Sequence, residues 1–134
     1  MRSLGIAAAV WAACAAARRG LENWPARTYG PVRFRPLWNR GAALGLPVGR
    51  RVLLPLSVLA LSTAWLLRRR SPLGAGLVLG GGLSNLWERL CRGRVFDYVQ
   101  FPRAPGRGKR YVFNLADFAI FTGVLALLRG RHGE

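Results

Sequence analysis

Asp97 and Asp117 are the only aspartates in the 134-residue chain, and both stand in apolar surroundings. Asp97 lies in Val95-Phe96-Asp97-Tyr98-Val99. Asp117 lies in Asn114-Leu115-Ala116-Asp117-Phe118-Ala119-Ile120, ahead of an apolar run to Leu128. Both segments read as membrane-embedded, where a charged side chain costs roughly 2.5–3.5 kcal/mol at mid-helix, so a carboxylate there marks a functional site by default. Two of them, against 21 basic and 5 acidic residues in all, read as a working pair. Their chemistry is proton exchange, either acid–base work on a bound substrate or a proton path across a bilayer. Polar groups concentrate near one end of the third and fourth apolar segments, which favours a site facing one membrane surface.

Four apolar segments must position the pair: residues 4–17, 52–67, 72–90 and 112–128. The first is short for a span of about 20 residues, but flanking arginines can snorkel and extend it. The third is rich in glycine (Gly74, Gly76, Gly80, Gly81, Gly82), which permits close helix approach in a membrane. Between the first two, Val32-Arg33-Phe34-Arg35 alternates apolar and basic residues, a short strand signal flanked by Pro31 and Pro36. Trp24 and Trp38 are expected as interface anchors. Residues 91–111 read as a turn-rich basic loop. The first 17 residues resemble a signal peptide only loosely and are expected to be retained.

Composition excludes other classes. The +16 charge is nearly all arginine, clustered between apolar runs and without an aromatic–basic RNA motif. Anionic lipid headgroups therefore fit better as partners than nucleic acid. A structural zinc site needs about four ligands, and the chain offers Cys14, Cys91 and His132. The two cysteines are expected to be buried small apolar residues.

Three blocks occur in order. Asn39-Arg40-Gly41-Ala42-Ala43-Leu44-Gly45 precedes the second apolar segment. Gly81-Gly82-Leu83-Ser84-Asn85-Leu86-Trp87-Glu88-Arg89 leads into Gly93-Arg94-Val95-Phe96-Asp97-Tyr98, and Phe113-Asn114-Leu115-Ala116-Asp117 follows. Together they resemble the lipoprotein signal peptidase (signal peptidase II) family over residues 31–128. The resemblance implies an aspartyl-protease dyad of Asp97 and Asp117, with Asn39, Gly41, Asn85, Arg89 and Asn114 supporting the site and binding substrate. It implies a single integral membrane peptidase domain over residues 1–134, a bundle of four transmembrane helices with a small extracytoplasmic β element at residues 28–40. It further implies a monomer in the bacterial cytoplasmic membrane, both termini in the cytoplasm and the active site near the outer face. The implied activity removes signal peptides from diacylglyceryl-modified prolipoproteins, cutting before the lipidated cysteine, with no metal or organic cofactor. Phe34, Leu37 and Trp38 are expected to cover the bound peptide.

The chain also departs from that pattern. Cys14-Ala15-Ala16-Ala17-Arg18 stands where the family carries Asp-Gln-x-Ser/Thr-Lys, and Glu88 stands where it carries aspartate. A weak or inactive relative that only binds lipoproteins or partner helices is the alternative expectation.

Overall fold

Arginine-bounded apolar stretches form the helices, and the connections between them build one sheet. The computed structural model describes residues 1–40 and 49–130. Its elements are α1 (Arg2–Leu21), β1 (Arg27–Tyr29), β2 (Val32–Asn39), α2 (Arg50–Leu66), α3 (Pro72–Arg92), β3 (Val95–Gln100), a 3-10 turn (Gly106–Arg110), β4 (Val112–Phe113) and α4 (Leu115–Arg129). The strands form one antiparallel sheet in the order β1-β2-β3-β4.

α3 is the axis of the helical layer. Ser71 caps its start, its hydroxyl accepting from Gly74 N at 3.0 Å, with Pro72 following. Gly93, at φ 71°, ends it in the left-handed region that favours glycine. The glycines between serve packing. A Cβ on Gly80 would stand 2.7 Å from Ala7 O of α1, and one on Gly81 2.6 Å from Ala116 O of α4. Backbones this close need glycine, and the core is correspondingly small: Ala7, Ala64, Ala75, Val78, Leu79 and Leu127. α2 packs on α3 and leaves a cleft toward α4.

Large apolar side chains point outward instead. Leu56, Val58, Leu59 and Leu66 of α2, and Phe121, Leu125 and Leu128 of α4, are exposed, while Ser84, Asn85, Glu88, Asp97 and Asn114 are buried. Apolar outside and polar inside reverses the soluble arrangement. The helices alternate in direction. Ser3 and Ile6 of α1 lie against Gly76, Leu127 lies against Gly74, and Gly130 lies against Arg70. Met1, Arg68–Arg70 and Arg129 therefore share one end of the layer, and the sheet lies at the other.

Several expectations need correction. The β element is not confined to residues 28–40, because β3 and β4 double it and draw Asp97 onto a strand rather than into a membrane helix. The fourth apolar segment is not one helix from residue 112. Val112–Phe113 pair with β3, and α4 starts only after Asn114. Cys14 is buried as expected, but Cys91 is exposed. Trp38 is half-buried, stacked on Phe96 with ring centroids 5.2 Å apart, and Arg94 lies 4.5 Å over its ring. Among the described residues, α1 alone is both long and apolar enough to cross a membrane unaided. α3 carries Glu88, Arg89 and Arg92 near its end, and α4 has only 15 residues.

Candidate active site

The site is assembled where α3, α4 and the sheet meet. α4 starts with a reciprocal cap. Asn114 Oδ1 accepts from Asp117 N at 3.0 Å, and Asp117 Oδ2 accepts from Asn114 N at 2.9 Å. This box fixes Asp117 at the third helical position, where unpaired amides and the helix dipole favour a carboxylate. Asp97 is set by strand register. It pairs across the sheet with Leu37, so Asn39, paired with Val95, is its diagonal neighbour on the same face. Asn39 Nδ2 donates to Asp97 Oδ2 at 3.1 Å. Pro36, which cannot donate to a ladder, sits where the β2–β3 register shifts between Phe34 and Leu37.

Asparagine side chains join the two carboxylates. Asn114 Nδ2 donates to Asp97 Oδ1 at 3.0 Å and to Asn85 Oδ1 at 3.0 Å, and Asn85 Nδ2 donates to Asp117 Oδ1 at 3.2 Å. The path Asp97–Asn114–Asn85–Asp117 thus spans β3, the α4 cap and α3. Asn114 Nδ2 also reaches Phe96 O at 3.3 Å, so its two hydrogens serve three acceptors. Arg89 lies within electrostatic reach of both aspartates. Burial pushes the Asp97 carboxyl up to about 7, with the Asp117 charge adding to it. The Asn39 hydrogen bond and Arg89 oppose the rise, and Glu88 reinforces it. A pair coupled in this way titrates as a unit and holds a proton near neutral pH.

The structure brings together Asp97, Asp117, Asn39, Asn85, Arg89 and Asn114. Gly41 lies outside the described residues. Glu88, which departs from the family pattern, is buried, pairs with Arg18 across 2.6 Å and accepts from Phe96 N at 2.9 Å. Tyr98, the residue after Asp97, adds a contact that no sequence signal marks. Its hydroxyl accepts from Leu115 N at 3.0 Å, and burial pushes its phenol up. The Asn114-x-x-Asp117 spacing is a capping-box signal that could have located the start of α4. No local signal marks the Glu88 contacts, which join residues 8 and 70 positions apart.

Asn85, Arg89 and Asp117 open onto a cleft of about 270 Å³ walled by Leu53, Leu61 and Phe121. It runs on, through Ala60, Val78 and Ile120, into a second apolar space of about 540 Å³ between α2 and α4. That space ends at Leu67, Arg70 and Leu128. Asp117, with Asn85 and Arg89, thus stands at one end of an apolar groove that runs between α2 and α4.

The family model described as signal peptidase (SPase) II matches residues 8–130. The chain belongs to the signal peptidase II family. The lipoprotein signal peptidase of Nitrobacter hamburgensis is 39% identical over 118 residues, covering 74% of this chain and 71% of that protein. That of a Methylobacterium species is 38% identical over 124 residues, covering 81% and 73%. Two solved bacterial membrane enzymes share the fold. One has a TM-score of 0.75 at 20% identity, covering 95% of this chain and 87% of its own. The other has a TM-score of 0.74 at 18% identity, covering 95% and 90%. The helical layer with its small antiparallel sheet is therefore a membrane-enzyme fold, and the chain is a membrane peptidase of this family.

Proposed function

We propose that this signal peptidase II homologue is an aspartic endopeptidase. On this reading it removes signal peptides from diacylglyceryl-modified bacterial prolipoproteins, cutting before the lipidated cysteine. The observation that carries the reading is the Asp97–Asn114–Asn85–Asp117 path, whose Asn85 and Asp117 open onto the head of an apolar groove. In the singly protonated pair, the charged carboxylate takes a proton from a water that attacks the scissile carbonyl. The protonated carboxyl donates to the carbonyl oxygen as it gains charge. The proton taken from water then passes to the leaving amine as the C–N bond breaks. Asn39, Asn85 and Asn114 hold the carboxylates in register without supplying a competing charge. Arg89 balances the negative charge of the pair.

Depth supports this substrate. Asn85 lies seven residues before the end of α3, about 10 Å at 1.5 Å per residue. A scissile bond beside a lipidated cysteine has to be met below the membrane surface, because its acyl chains stay in the bilayer. The groove between α2 and α4 suits the apolar helix of a signal peptide. Four spans follow from alternating helices whose outer faces are apolar, the short α4 reaching the site from the opposite surface. In this topology Arg2, Arg68–Arg70 and Arg129 face the cytoplasm, and the sheet lies outside. The whole chain acts as one domain and as a monomer.

The test is cleavage of a diacylglyceryl-modified prolipoprotein by the purified protein in lipid nanodiscs. Asp97→Asn and Asp117→Asn are expected to stay folded and lose cleavage by at least a thousandfold. Native-like cleavage by either folded variant would sink the dyad. A folded native protein inactive on this substrate would point to lipoprotein binding instead.

A further inference from the structure

We infer that Glu88 is a positioning residue for the candidate dyad, and that Arg18 and Glu88 act as one charged clamp on the backbone of Phe96, next to Asp97. The inference rests on the aspartic reading above.

The geometry begins at the edge of the sheet. β3 pairs with β2 along most of its length, but β4 covers only Val99 and Gln100. At Phe96, among the described residues, no strand therefore lies beside the edge of β3 away from β2. Both backbone groups of Phe96 are nevertheless held. Its N–H donates to Glu88 Oε2 at 2.9 Å, and its carbonyl accepts from Asn114 Nδ2 at 3.3 Å. Two side chains, one from α3 and one from the α4 cap, thus stand in for the missing strand. Phe96 itself is buried at 2% exposure. The next residue is Asp97, so the clamp sets where that carboxyl sits relative to Asn39, Asn114 and Asp117.

Arg18 completes the device. Its Nη1 donates to the other oxygen of Glu88 at 2.6 Å, and both side chains are nearly enclosed. Arg18 offsets the cost of enclosing this carboxylate, and a charged acceptor holds an amide more tightly than a neutral one. The pair also ties the end of α1 to α3 and β3. α1 is thereby locked to α3 and β3, which are distant from it in sequence, one residue from a proposed catalytic group. An exposed surface pair would not have this effect.

Steady-state cleavage of the diacylglyceryl prolipoprotein by the full chain in nanodiscs tests this, with folding checked by thermal unfolding. Glu88→Asp shortens the side chain by one carbon and withdraws it from Phe96 N. It is expected to lower kcat by 10- to 100-fold with KM within about twofold. Arg18→Met leaves Glu88 enclosed without its partner and is expected to lower kcat at least tenfold. The double variant Arg18→Met with Glu88→Gln removes the stranded charge yet keeps an oxygen facing Phe96 N. It is expected to recover kcat several-fold over Arg18→Met. The clamp is overturned if folded Glu88→Asp keeps native kcat, if the loss falls on KM alone, or if the double variant is no faster than Arg18→Met. Asp97→Asn, run in parallel, separates the two ideas. Should it cleave normally, the dyad itself falls and the clamp with it. Should it be inactive while Glu88→Asp is native-like, only the clamp falls.

Discussion

Asp97→Asn is expected to make the protein more stable at alkaline pH while removing its activity. The folded protein raises the Asp97 carboxyl from 3.8 to about 7, chiefly through burial. A carboxyl whose folded value is raised carries no penalty below about pH 4. The penalty grows as pH climbs through the window between the two values and levels off above about 7. A rise of about three units, at about 1.4 kcal/mol each, sets that penalty at about 4 kcal/mol. At 5% exposure, solvent screening removes little of it. Asparagine never ionises, but its single oxygen cannot accept from both Asn39 and Asn114 as the two carboxylate oxygens do. One amide then faces another, at a cost of about 1–3 kcal/mol that does not depend on pH. The variant should therefore be less stable than the native protein near pH 4 and more stable by about 1–3 kcal/mol at pH 8. Thermal unfolding in detergent, followed by tryptophan fluorescence, reads the difference. With on the order of 3 °C per kcal/mol, the gap in Tm should swing by about 10 °C between pH 4 and pH 8. A gap constant across this range would refute the claim that burial of Asp97 holds the proton.

Cleavage by the native protein should decline about tenfold per unit above roughly pH 7, because the pair then loses the proton it must donate. A pH–rate profile for kcat flat to pH 9 would contradict this. Asn114→Ala removes the α4 cap, the donor to Asp97 and the link to Asn85. It should lower stability by about 2–3 kcal/mol and kcat by at least a hundredfold, read by unfolding and steady-state assay. Gly81→Ala places a Cβ 2.6 Å from Ala116 O, one residue before Asp117. It should separate α3 from α4 at a cost of about 1–3 kcal/mol and reduce cleavage, while Gly5→Ala, with open space at its Cβ, should do neither. Leu125→Arg puts a charge on an exposed apolar face and should lower the yield of membrane-inserted protein, at about 2.5–3.5 kcal/mol on insertion scales. Unchanged insertion would argue against α4 facing lipid.

Much of the architecture is written in local patterns. Apolar runs ended by arginine place the four helices to within a few residues, and the glycines of 74–82 mark α3 as the helix its neighbours approach most closely. The strand signal at Val32–Arg35 falls inside β2. The Val95–Gln100 strand was hidden because it is enclosed on both faces and shows no polar alternation, so an apolar run with one aspartate looks the same as a membrane segment. Val112–Phe113, at two residues, is too short to show any period and reads as part of the apolar run that follows. Only the capping box between Asn114 and Asp117 marks where strand gives way to helix.

The chemistry divides along the same line. Residue types and block order in the sequence picked out Asp97, Asp117 and their asparagines, because a carboxylate or amide in an apolar run is costly enough to need a reason. Which amide serves which carboxylate was decided only by tertiary structure. Strand register set Asn39 beside Asp97, and close packing of α3 on α4 brought Asn85 to Asp117. The role of Glu88 also emerges only there. In the chain it is one more charged residue near a helix end, and its effect depends on a backbone amide supplied by β3 and an arginine supplied by α1. Periodicity reports which face of an element is apolar. It carries no information about side chains that meet across 70 residues, because those contacts are fixed by how the elements pack and not by any spacing along the chain.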